Sequence, residues 1–203
     1  MTAPTVLRPG DLGLDQVRRL LLGGVVPRPI AWVSTTAPAT GVPNLAPFSY
    51  FSVLSTEPPM LGVTIEPRDD GGGDKDTLAN LRAGSDLVIN TVPEALGPQM
   101  WITSHEHPAD VDEFTEAGVA ATGSCLVRAP RVRDAPLAME CVLDRLVPLG
   151  GAVLVVARVL AFHVRPGLLD PRGRIRHDRM TALGRIGGEF LTTTDSFALG
   201  ETA

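Results

Sequence analysis

The chain has 203 residues, 44% hydrophobic and 20% charged, enough to bury a core and expected to form one domain over residues 1–203. A formal net charge of −5 argues against a broad cationic surface for nucleic acid or anionic lipid, and leaves room for a local phosphate pocket. Two cysteines, Cys125 and Cys141, are too few to staple this fold and match no metal spacing; with no apolar leader or spanning run, the expected setting is the reducing cytoplasm.

The 21 Gly and 18 Pro fall among many short apolar runs, so the chain turns often and favours strands over long helices. Residues 15–22 (DQVRRLLL) have helical spacing and stop at Gly23-Gly24. Residues 30–35 (IAWVST) read as a strand, followed by a Pro/Gly-bearing loop over 36–43. Residues 44–61 (NLAPFSYFSVLSTEPPML) fit no simple period; on their own they read as a core strand with a wide turn. Residues 60–66 give another strand, closed by the polar loop PRDDGGGDK. Asp76 is placed to cap a helix through DTLANLRAG, with Leu78 and Leu81 on one face and Gly84 as the stop.

Further strands are expected over 86–92, 126–132, 137–148 and 152–164, the last two joined as a long hairpin across Leu149-Gly150-Gly151. Helices are expected over 94–104 and 111–117, where Val111, Phe114 and Ala117 repeat every third residue. The last 40 residues read as loop-rich. Strands broken by short helices imply a closed or nearly closed antiparallel barrel, because closure removes exposed edges, and barrel mouths often hold ligands.

Several polar groups admit more than one reading. Lys75-Asp76-Thr77 follows three glycines but lacks the Walker spacing, and is either a phosphate contact at a helix start or a solvated Lys before a capped helix. Arg28 between Pro27 and Pro29 is either held for a ligand or an ordinary surface side chain. His105-Glu106-His107 lacks the i,i+4 metal spacing and reads as a loop cluster or polar lining, so no metal site is expected. Residues 172–179 (RGRIRHDR) read as a solvated basic loop, His163 and His177 as structural or exposed, and both cysteines as buried small residues.

PRPIAWVST (27–35), NLAPFSYF (44–51), EPP (57–59), KDT-x-x-N (75–80), VDEF (111–114) and LGRIGGEF (183–190), in this order, resemble the flavin reductase-like family of FMN-binding split barrels, near its flavoredoxin-like subgroup. The resemblance implies a mainly β, six-stranded antiparallel split barrel of Greek-key order with a few short flanking helices. It implies a homodimer holding FMN near the subunit interface. The implied cofactor-binding residues are Arg28, Pro29, Ile30, Asn44, Ala46, Pro47, Phe48, Ser49, Ser52, Lys75, Asp76, Thr77, Arg185 and Gly187. Pro47 and its neighbours would face the isoalloxazine, Asn44, Ser49 and Ser52 would hydrogen-bond its pyrimidine edge, and Lys75 with Thr77 would meet the phosphate. Family members often carry Tyr where this chain has Phe190.

The implied activity is NAD(P)H:flavin oxidoreduction, with NADH or NADPH as hydride donor and a monooxygenase or other electron acceptor as partner. A flavoredoxin-like electron carrier and a flavoenzyme acting on a bound metabolite are the alternatives. No G-x-G-x-x-G follows a strand, so a nicotinamide donor must lie directly on the flavin. No catalytic side chain is required, since the flavin carries the chemistry.

Overall fold

The computed structural model describes residues 4–69, 71, 73–193 and 199; part of the glycine-rich loop, Asp70 and Gly72, lies outside the described residues. Helix α1 (Leu14–Gly24) leads into β1 (Arg28–Pro29), β2 (Ala31–Thr36), β3 (Pro43–Phe48), β4 (Phe51–Thr56) and β5 (Pro59–Ile65). Next come α2 (Asp76–Arg82), β6 (Leu87–Thr91), α3 (Gly97–Ile102), α4 (Glu113–Glu116) and the short pair β7 (Ala121–Thr122) and β8 (Arg131–Val132). The long hairpin β9 (Leu137–Leu149) and β10 (Ala152–Val164) and a terminal hairpin, β11 (Leu183–Ile186) and β12 (Glu189–Thr192), complete the order.

The main sheet is antiparallel, with strand order β3-β2-β6-β9-β10-β5-β4. Among the described residues it has seven strands rather than the six expected, and no ladder joins its two edges. Yet those edges, β3 and β4, are consecutive in the chain and joined only through Ser49 and Tyr50. Three Cα steps can span only about 11 Å, so the sheet must curl until its edges nearly meet, which leaves a barrel split along one seam. The Tyr50 carbonyl, within that link, accepts from Thr64 N–H of β5 at 2.8 Å. The awkward stretch 44–61 is therefore two edge strands plus the start of a third. Pro43 and Pro47 are tolerated because an edge strand has one side with no ladder to maintain.

Alternation along β2 explains why both sides of it are covered. Ala31 and Val33 join the barrel interior with Val63, Ile65, Ile89 and Val155, into which α2 inserts Leu78 and Leu81. Ile30 and Trp32 face the opposite way, packing with Leu45, Met100 and Phe114 under α3 and α4. Burying Leu78 and Leu81 stabilises the fold by roughly 1.5–3 kcal/mol each, which is what their spacing predicted. The Trp32 indole satisfies its N–H on Thr103 Oγ1 at 2.9 Å.

Local differences from expectation have local causes. Lys75, not Asp76, occupies the N-cap of α2, with no side-chain capping bond; Asp76 enters the first turn and its carboxylate meets Arg68 at 3.2 Å. Residues 94–104 form a 3-10 turn and then the short α3, whereas 111–117 yield only the one-turn α4, capped by Asp112 onto the Phe114 and Thr115 N–H groups. The strand expected over 126–132 is reduced to β8, because the N–H groups of Arg128 and Ala129 go to the Asp86 carboxylate instead of a ladder. Cys141 is buried as expected, but Cys125 is exposed. The basic run at 172–179 is a loop in which Asp170 holds Arg174 at 2.9 Å and Asp178 holds Arg176 at 2.9 Å. Among the described helices, none is long and apolar enough to cross a membrane.

Candidate functional site

The seam of the barrel is where the chain gathers its polar groups. Pro47 and Phe48, ending β3, line three adjoining hollows of about 50, 190 and 260 Å³, and Ser49 lines the two larger ones. Taken together they fall within the roughly 300–1,000 Å³ typical of small-molecule sites. The 190 Å³ hollow is flanked by Arg18, Arg28, Lys75 and Arg185, with Glu66 as the one carboxylate on its wall among the described residues. The 260 Å³ hollow is walled by Ile30, Met100, Trp101 and Phe190. A cationic centre thus opens onto an aromatic end.

Backbone pairing creates the cationic centre. The β1–β11 ladder sets Arg28 directly opposite Arg185, an arrangement that costs energy unless something anionic lies between them. Arg28 is only 5% exposed. Its guanidinium donates to the Leu22 carbonyl at 2.5 Å, the Val25 carbonyl at 3.3 Å and the Gly187 carbonyl at 3.2 Å, with Ser49 Oγ at 3.5 Å. It ties the end of α1 to the terminal hairpin, so it is no ordinary surface arginine. Arg185 lies with its Cζ 4.4 Å above the Phe190 ring, and burial, then the nearby Arg28 charge, lowers its pKa. Gly187 supplies the left-handed conformation, φ +52°, that the two-residue turn at Gly187-Gly188 requires.

At the aromatic end, Trp101 meets Phe190 edge to face at 6.0 Å and His105 at 5.6 Å. Trp101 is half exposed, which leaves ring surface available to a ligand. Lys75 reaches both smaller hollows; its Nζ lies 3.6 Å from Glu106. Glu106 also accepts from Asp69 N–H at 3.0 Å and stands 3.8 Å from Arg68, so the His105-Glu106-His107 run is polar lining for the smallest hollow.

Of the expected site residues, Gly187 lines none of these cavities and only accepts from Arg28 through its carbonyl; the others divide into three groups. Arg28, Ile30, Ala46, Pro47, Phe48, Ser49, Lys75, Asp76 and Arg185 line the groove itself. Asn44 and Thr77 border the smallest hollow, but their side chains are spent internally. Asn44 Nδ2 donates to Glu113 Oε1 at 2.6 Å, while its Oδ1 accepts from Thr77 at 2.8 Å and Thr35 at 3.3 Å. Ser52 and Pro29 instead line a separate cavity of about 840 Å³ beneath α1, shared with Arg28 and Ser49.

Glu113 lies within VDEF, which enters both the periodicity of its apolar members and the family resemblance, yet neither assigns the carboxylate a role. It is buried, accepts from Asn44 and from Leu45 N–H at 3.2 Å, and burial raises its pKa despite those bonds. Arg18, Arg68, Trp101 and Ser104 also line the groove and carried no local motif.

This is a split barrel whose seam suits a flat, partly aromatic and negatively charged ligand. Residues 22–179 match the family model described as a flavin reductase like domain, and the chain belongs to that family. It is a flavin-binding oxidoreductase. An uncharacterized protein of Aquifex aeolicus is 38% identical over 176 residues, covering 87% of this chain and 89% of its own. Among solved structures, nitrilotriacetate monooxygenase component B from Bacillus cereus superposes with a TM-score of 0.92 at 29% identity, over 98% of this chain and 100% of that one. The 2-nitrobenzoate 2-nitroreductase NbaA of Pseudomonas fluorescens gives 0.86 at 29% identity, covering 98% and 96%.

Proposed function

We propose that the protein is an FMN-dependent NAD(P)H:flavin oxidoreductase, which takes hydride from a nicotinamide donor and passes reduced flavin or electrons to a partner such as a monooxygenase. The observation that carries this reading is the paired Arg28 and Arg185 beside Arg18 and Lys75 in a hollow that continues into the Trp101–Phe190 wall. Likeness to a monooxygenase component supports the partner.

The residues fit the cofactor. Lys75, Arg28 and Arg185 supply donors for a phosphate, the extended Pro47-Phe48-Ser49 segment supplies apolar surface and backbone groups, and Met100 with Trp101 bounds the far side. Bound FMN supplies a hydride acceptor at N5, a reaction that needs ring alignment more than a protein acid or base. The chain's task is then to orient two flat rings and exclude water. Phe190, held between Arg185 and Trp101, keeps the stacking surface but offers no hydroxyl.

The homodimer belongs to the same reading. Helix α1 buries no residue and leaves Leu14 at 89% exposure, with Leu20, Leu21 and Val25 also exposed. The cavity beneath it shares Arg28 and Ser49 with the groove, so a second subunit covering α1 would border the same site.

The test is the absorbance spectrum of purified protein after addition of FMN, followed by NADH and NADPH oxidation with and without free FMN. Flavin binding with rapid donor oxidation is expected; no flavin binding would refute the reading. One rival is favoured by a specific observation: the 260 Å³ aromatic hollow, together with likeness to a nitroreductase, suits reduction of a small aromatic substrate at the flavin. Faster turnover of donor with a nitroaromatic acid than with free FMN would favour it.

A further inference from the structure

On the outer face of the long hairpin, none of whose groups line the groove, two carboxylates strap down the loop of residues 123–130. Asp86 accepts from the Arg128 and Ala129 N–H groups at 2.8 and 2.9 Å, and Glu140 of β9 accepts from those of Cys125 and Leu126 at 2.6 Å each. Glu140 is completely buried, and His163 of β10 brings Nε2 to 2.5 Å from its Oε1. Cys125 stands exposed at the rim of the same point. Its Sγ, a ring nitrogen of His163 and a carboxylate oxygen of Glu140 all lie within 4.8 Å of one another.

We propose that Cys125, Glu140 and His163 form a zinc site that staples the 123–130 loop to the β9–β10 hairpin. The donor set selects the ion. Thiolate and imidazole favour a borderline-soft cation over magnesium or calcium, and three protein donors with one exposed side leave the fourth tetrahedral position to water. Three atoms no more than 4.8 Å apart surround a point at most about 2.8 Å from each, so sub-ångström adjustments reach the 2.0–2.3 Å of zinc bonds.

Charge is balanced as well. One Zn²⁺ against one thiolate and one carboxylate, with neutral imidazole, gives a site with no net charge, which a buried carboxylate favours. On binding, the thiol proton leaves to solvent, and the imidazole exchanges its Nε2 proton for one on Nδ1 as Nε2 turns from hydrogen bond to metal bond. No electron moves. The two backbone N–H groups on Glu140 already fix its orientation, the role that outer hydrogen bonds play around metal ligands.

The experiment uses the full-length flavin-loaded protein, dialysed against chelator and titrated with ZnCl₂ by calorimetry, with CoCl₂ as a spectroscopic substitute. One zinc per chain is expected, with affinity lowered by about tenfold or more in Cys125→Ser and in His163→Ala. Cobalt should give a thiolate charge-transfer band that Cys125→Ser abolishes. Zinc should also slow alkylation of Cys125 by iodoacetamide. No saturable binding by the parent protein, or binding unchanged in the Cys125→Ser/His163→Ala double variant, would overturn the proposal; the latter would place the metal elsewhere, for example at His105-Glu106-His107. Far-ultraviolet circular dichroism of each variant separates loss of a ligand from loss of fold, and Cys125→Ser, at an exposed position, keeps the test open if His163→Ala unfolds.

Discussion

Replacing Asn44 by Ala distinguishes a residue that touches the cofactor from one that builds the wall behind it. Asn44 is 6% exposed and spends its side chain on Glu113, Thr77 and Thr35. Alanine removes a charge-assisted bond worth about 1.5–3 kcal/mol and a neutral bond from Thr77 worth about 0.5–1.5 kcal/mol, and the 3.3 Å Thr35 contact adds little. The expected loss is therefore about 3 kcal/mol, roughly a hundredfold in the folding equilibrium. Urea unfolding of flavin-free protein at pH 7 reads it directly. The loss should depend on pH in a defined sense. Burial raises the folded pKa of Glu113, so its protonated form favours the fold and that contribution is lost as pH rises through the folded pKa. The Asn44 donor stabilises the ionised carboxylate more than the protonated one, so the deficit should shrink as pH falls through that value. Flavin-free stability within about 0.5 kcal/mol of the parent, with flavin affinity lost, would refute the reasoning and return Asn44 to direct contact.

Lys75→Ala should behave in the opposite way: its ion pair with Glu106 is partly exposed and contributes at most about 1 kcal/mol, so stability should hardly move. Its FMN affinity, measured by fluorescence quenching, should fall about tenfold, and affinity for riboflavin, which lacks the phosphate, should not. Arg28→Ala should affect both quantities, since the guanidinium holds the Leu22 and Gly187 carbonyls as well as facing the groove; about 2–4 kcal/mol of stability is expected to go. In native protein freed of zinc by chelator, a disulfide reagent at pH 8 should label Cys125 alone, because the Cys141 thiol is fully buried and pushed up to about 12; stoichiometric labelling of two thiols before unfolding would contradict the packing.

The fold was legible where a single period ruled. The β9–β10 hairpin, β2, β6 and the Leu78–Leu81 face of α2 all follow from patterns of two or three residues, and tertiary packing agrees with them. The pattern failed at 44–61, because two edge strands that meet across a seam carry prolines and polar groups a central strand would exclude. It failed again at 126–132, where carboxylates take the N–H groups that a ladder would use. Within the groove, Lys75 and Pro47-Phe48-Ser49 could be named from motifs. Glu113 lies inside a motif that assigns it no role, and Arg18 and Trp101 carry no motif at all, since they reach the groove from elements far apart in sequence.

The seam also explains why the groove sits where it does. A closed barrel would satisfy its edge N–H and C=O groups by pairing, whereas an open one must leave some of them to solvent, side chains or a ligand. Here β3 meets β4 through only Ser49 and Tyr50, and Phe48 packs into the core while still bordering the hollows beside Pro47 and Ser49. The β1–β11 ladder then lays two arginines beside that opening. In the proposed site, closing the edges by pairing would bury the same backbone that a flat ring would use, so the split is the feature that would turn a core sheet into a binding surface. A substitution that stiffens this link should accordingly weaken flavin binding before it weakens the barrel.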